Sequence, residues 1–144
     1  MGDRANVALL QRTRRDEAEF VVLYTHWGGS ELLGTVQAAI KREARWDDEA
    51  YLARIILNEM QGDDRGETGF GISTALCDNE HAIIVIDPGK QQIGLASEDA
   101  FKNALLKRKM PDLFKSWTLE EFSGLKEDAL ERAWNVSSSG VARE

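Results

Sequence analysis

At 144 residues, with one cysteine and a formal charge of −7, the chain is long enough for one domain with its own core, and it can form neither an intrachain disulfide nor a multi-cysteine zinc site. The acidic balance argues against general nucleic-acid binding, which needs a basic face to displace counterions. The first residues, Met1 to Asn6, hold no apolar run of the signal-peptide kind, and no later run is long enough to cross a bilayer. A cytoplasmic location with no membrane partner is therefore expected.

In chain order, Asn6 to Gln11 and Glu19 to Thr25 read as two strands joined by the charged turn Arg12 to Glu17, a hairpin. The continuous apolar run Phe20 to Tyr24 places the second strand inside the sheet. From Glu31 to Ala44, apolar residues recur at helical spacing (Leu32, Leu33, Val36, Ala39, Ile40), with Ser30 as the expected N-cap. Gly34 in this helix suggests a close approach to the sheet. A second helix starts at Asp47-Asp48-Glu49 and ends near Gly62, with Leu52, Ile55, Ile56 and Met60 as its buried stripe.

Gly69 to Thr74 reads as a strand bent by glycine. Ala82 to Ile86 and Gln91 to Ala96 form a hairpin across Asp87-Pro88-Gly89-Lys90. A helix starts at Ser97 and is stopped before Pro111. Thr118-Leu119-Glu120-Glu121 is a capping box, with Trp117 and Phe122 placed as a hydrophobic staple, and the last helix runs from there to Trp134. The expected fold is α+β: an antiparallel-rich or mixed sheet of about five strands with helices packed on it, in the order β-β-α-α-β-β-β-α-α. Residues 1–134 form the domain and 135–144 a flexible Ser-rich tail.

The segment richest in chemistry is Thr25-His26-Trp27-Gly28-Gly29-Ser30. A strand end, two glycines and a helix start leave backbone N–H groups free to bind an anion. His26 adds a side chain that titrates near neutrality, and Trp27 can stack on a planar ligand. The same residues also suit a plain tight turn with Trp27 in the core. Any of Arg4, Arg45, Arg54 and Arg65 that cluster at this turn would suit a phosphate or carboxylate, although Arg45 can equally stack on Trp46. Gly66-Glu67-Thr68-Gly69-Phe70-Gly71 lacks the Gly-Lys-Ser/Thr of a phosphate loop and reads better as a bulged strand. His26 and His81 could share a metal with one carboxylate, but His81 stands in a run of turn formers, and no metal is expected. Cys77 is flanked by Asp78 and Glu80, which raise its pKa and disfavour a nucleophile.

Together, Arg4-Ala5-Asn6-Val7, Tyr24-Thr25-His26-Trp27-Gly28-Gly29, the segment Trp46 to Arg54 and Gly66 to Ile72 resemble a family of small bacterial and phage-borne proteins carrying a Tyr-Thr-His-Trp-Gly-Gly motif. The resemblance covers about the first 90 residues. It implies a bacterial or viral intracellular origin and a role in sequestering a host nucleotide or signal.

Three functions remain open. The chain can be a binding protein for a small anionic or nucleotide-like ligand. It can be a hydrolase or transferase with His26 as general base, assisted by Asp78 or Glu80. It can also be a protein–protein adaptor. None calls for a cofactor, and a homo-oligomer is compatible with each.

Overall fold

The structure is a computed structural model that describes residues 2–12 and 17–143, with side chains described as far as residue 135. The charged turn expected between the first two strands falls largely outside the described residues. β1 (Ala5–Arg12) and β2 (Ala18–Thr25) form the expected hairpin, with Ala5 opposite Thr25 and Arg12 opposite Ala18. β3 (Phe70–Ser73), β4 (Ile83–Asp87), β5 (Gln92–Ala96) and β6 (Lys115–Thr118) complete a six-stranded sheet in the order β3-β2-β1-β4-β5-β6. β1 and β4 are parallel and every other pair is antiparallel, so the sheet is mixed.

The class is the expected one, with one strand more. β6 went unread because Lys115-Ser116-Trp117-Thr118 is short, polar and largely exposed at the sheet edge. β1 and β4 hold the centre, and their side chains are buried almost throughout. Such strands need cover on both faces. On one face Val7, Leu9, Leu23, Ile84 and Ile86 pack under α1 (Leu32–Ile40), α2 (Glu49–Gln61), α4 (Leu119–Ser123) and α5 (Glu127–Arg143). On the other, Ala8, Leu10, Phe20, Val22 and Val85 pack against α3 (Glu98–Lys107), whose Phe101 meets Phe20 edge-on at 5.2 Å.

Several local expectations are corrected. Ser30 does not cap α1: a 3-10 turn, Gly29–Glu31, precedes the helix, and no side chain of the cap residue itself bonds there. Gly34 faces open space, not the sheet. α1 ends at Ile40 rather than Ala44, because Glu43 and Arg45 take left-handed backbone angles (φ 52° and 59°) that turn the chain out of the helix. The Trp46 indole then donates to Ile40 O at 3.0 Å, beside the Glu43 N–H that the same carbonyl accepts at 3.0 Å. The last helix is two helices, broken between Ser123 and Glu127. The Ser97 and Thr118 caps stand as read, the latter with both bonds of the capping box. Among the described residues, no helix is long and apolar enough to cross a membrane.

Candidate functional site

The turn between β2 and α1 is built as an anion receptor, and the protein supplies the anion itself. The chain before β1 runs alongside the turn. Asp3 N–H donates to His26 O at 2.7 Å, and Gly29 N–H donates back to Asp3 O at 2.8 Å. Ser30 N–H donates to Asp3 Oδ2 at 2.8 Å. The other carboxylate oxygen, Oδ1, lies 2.7 Å from His81 Nε2. Burial pushes the Asp3 carboxyl up, but the hydrogen bonds from Ser30 and His81 outweigh it and hold the group below its ordinary value. His81 stacks on Trp134 of α5 (5.1 Å between centroids, planes 12° apart), and the Trp134 indole donates to Gly29 O at 2.9 Å. The free N–H groups expected at this turn are thus taken at Gly29 and Ser30. The Gly28 N–H is also taken, by Thr25 Oγ1 at 3.1 Å.

Arg4, Arg45 and Arg54 do not gather there. Arg4 pairs with Glu80 at 2.9 Å and with Asp78 at 3.4 Å. Arg45 is exposed and lies over the Tyr51 ring at 5.0 Å, not over Trp46. Arg54 is exposed on α2 and has no hydrogen bond or ion pair to the turn among the described residues. Asp78 and Glu80 face Arg4, and neither has a hydrogen bond to His26 among the described residues. The buried Asn6 side chain donates to Asp78 O at 3.1 Å and to Asn79 Oδ1 at 3.2 Å, which ties the same loop to β1. Burial, and then Asp78, push the Cys77 thiol up, as its neighbours led one to expect.

What the turn does present is an aromatic ledge. His26 Nδ1 and the Tyr24 hydroxyl are 2.7 Å apart. The His26 ring meets Trp27 edge-on at 4.6 Å. Trp27 is not in the core: 59% of it is exposed. Its six-membered ring lies across Gly69, where an added Cβ would come within 2.9 Å, and Gly69 has a φ of 99° that a side chain would strain. The indole is thereby fixed on two sides and open on others. Beside it is a cleft of about 300 Å³ with Thr25 and Gly28 in its wall, Met60 and Phe70 as further apolar lining, and the carboxylates of Glu31 and Asp64 at its edge.

Glu31, Asp64 and Phe70 were not legible as site residues, since nothing local marks them and only the fold brings them to Trp27. Among the described residues, no group of three His, Cys, Asp or Glu side chains is arranged to hold a metal ion. The fold and site define an α+β protein with an open mixed sheet and a ligand-sized cleft at one end of it. No family model, curated protein or solved structure matches the chain.

Proposed function

We propose that the protein is a small-ligand-binding module that captures a planar ligand on Trp27. The observation that carries this reading is the exposed indole, held by His26 and Gly69 at the mouth of the cleft. Large, rigid aromatic side chains make good stacking platforms because little rotamer entropy is lost on binding. The cleft edge is acidic, with Glu31 and Asp64 as acceptors and no cation in the lining. It suits the donor-bearing edge of a heteroaromatic ring, such as a nucleobase or nucleoside, better than a phosphate. Capture is favoured over turnover: the side chain within hydrogen-bond distance of His26 is a tyrosine hydroxyl, and the chain's lone thiol is held protonated.

The test is a fluorescence titration with adenosine and guanosine, coupled to chromatography of the nucleoside after incubation. Trp27 is the most exposed of the four tryptophans, so its emission reports the site. Saturable quenching that disappears in Trp27→Ala, with the nucleoside recovered intact, supports the reading. Converted nucleoside would move the protein to the hydrolase class. No saturable response to any nucleobase or nucleoside would remove the ledge as a binding site.

A further inference from the structure

The opposite end of the sheet carries a second cleft with the reverse charge. The β1–β2 register sets Ala5 and Thr25 at one end and Arg12 and Ala18 at the other, so this cleft lies a full strand length from Trp27. It has a volume of about 280 Å³, and four cations line it: Arg12, Lys90, Arg108 and Lys109. They come from three separate stretches of chain: the end of β1, the β4–β5 turn and the residues that follow α3. Glu17 and Asp87 share the lining, so cations outnumber carboxylates there by four to two in a chain of net charge −7.

The cations are positioned rather than merely present. Gly89 has no side chain, and an added Cβ there would overlap the Arg12 guanidinium, which lies across the turn. Arg108 has a left-handed backbone (φ 53°), and its carbonyl accepts from Ala18 N–H at 2.9 Å, which pins the end of α3 to the hairpin. Carboxylates partner the two arginines of the set. The buried Asp87 accepts from Lys90 N–H at 3.2 Å and pairs with Arg12 at 3.7 Å. Glu17 and Glu19 lie 3.8 Å and 3.5 Å from Arg108. Glu49 accepts from the Arg12 backbone N–H at 3.0 Å. Lys90 and Lys109 have no ion pair among the described residues. Leu10, Ala18 and Met110 give the cleft an apolar wall.

We infer that this cleft binds a small organic anion of the phosphate-ester or pyrophosphate class, with Arg12, Lys90 and Lys109 on the phosphoryl oxygens and the apolar wall against the organic part. Arginine and lysine together on one concave surface recognise phosphoryl oxygens by charge-assisted hydrogen bonds. The site is independent of the Trp27 ledge and stands if that reading fails.

The probe is inorganic pyrophosphate, titrated calorimetrically and followed by amide chemical shifts in the full chain. Saturable binding with shifts at Arg12, Lys90 and Lys109 is expected. The exposed pair Lys90→Ala/Lys109→Ala should weaken it by about tenfold or more while leaving the circular dichroism and melting curve in place. Lys90→Arg/Lys109→Arg should restore binding, and Trp27→Ala should leave it unchanged. The inference is overturned if wild-type protein shows no saturable binding, or if the double alanine variant binds equally well. It is also overturned if a short oligonucleotide binds through the same lysines more tightly than pyrophosphate, which would make the cleft a polymer contact.

Discussion

Asp3 caps the 3-10 turn Gly29–Glu31 at Ser30: its Oδ2 accepts the Ser30 N–H at 2.8 Å from 27 residues away. A carboxylate at the start of a helix is favoured by the free N–H groups there and by the helix dipole. Because the folded-state pKa of Asp3 lies below its ordinary 3.8, its contribution is fully present above that value and is lost as pH falls through the folded pKa. Asp3→Asn should therefore destabilise the protein by about 1–2 kcal/mol at about pH 5, with the gap shrinking at about pH 3. The low end of the range is appropriate because 34% of the side chain is exposed. Urea unfolding of both proteins at the two pH values checks this. A gap that stays constant or widens in acid would refute the role given to the carboxylate.

Thr118→Ala tests the one cap that is both legible locally and complete in the structure. Thr118 Oγ1 accepts from Glu121 N–H at 3.0 Å, and the Glu121 carboxylate accepts from Thr118 N–H at 2.8 Å. Loss of the hydroxyl should cost about 0.5–2 kcal/mol. Chemical denaturation with unchanged slope and a lowered midpoint is the expected signature.

Gln37 is a polar residue where α1 faces the core. It is buried, and its Nε2 donates to Phe122 O at 3.0 Å and to Leu125 O at 2.6 Å, fastening α1 to the break between α4 and α5. Gln37→Leu keeps the volume but removes the amide donor from both carbonyls, of which Phe122 O keeps the Leu125 N–H at 3.2 Å. A loss of about 1–3 kcal/mol is expected, with the amides of residues 122–126 exchanging faster than in the parent. Equal stability would mean that water replaces the amide.

These cases show how far the sequence carries. Thr118 and Glu121 are three residues apart, so their partnership is readable without a fold. The β4–β5 hairpin is bounded by Asp87-Pro88-Gly89-Lys90 and is readable for the same reason. Asp3 and His81 are 78 positions apart, and no window of residues links them. The parallel pairing of β1 with β4 is likewise invisible, because a continuous apolar run shows burial and not the neighbour. Trp27 shows the limit from the other side. Its stacking role was one of two readings, and only its exposure and the contact with Gly69 separate a ledge from a core residue.

Gly28 and Gly29 looked equivalent in the sequence, and the structure separates them. At Gly28 an added Cβ would meet one side chain, Thr25, tightly at Oγ1 (3.1 Å) and loosely at Cγ2 (4.0 Å), in a backbone conformation (φ −104°, ψ 20°) open to any residue. At Gly29 it would come within 2.6 Å of Asp3 O, 2.7 Å of Asp3 Oδ1 and 2.8 Å of His81 Nε2. Those atoms cannot all retreat, because each is already in a hydrogen bond. Gly28→Ala should therefore cost less, about 1 kcal/mol at most, since one contact must give by a few tenths of an ångström while the methyl also reduces the freedom of the unfolded chain. Gly29→Ala should cost about 1–3 kcal/mol by overpacking, and more if Asp3 is expelled from the turn. Expulsion has its own signature: Ser30 N–H would lose its partner and exchange faster, and the pH dependence assigned to Asp3 would vanish with it. Urea midpoints for both variants, with amide exchange at Ser30, decide the matter. If Gly28→Ala proves the more damaging change, the turn is held by contacts other than those between Asp3, His81 and Gly29.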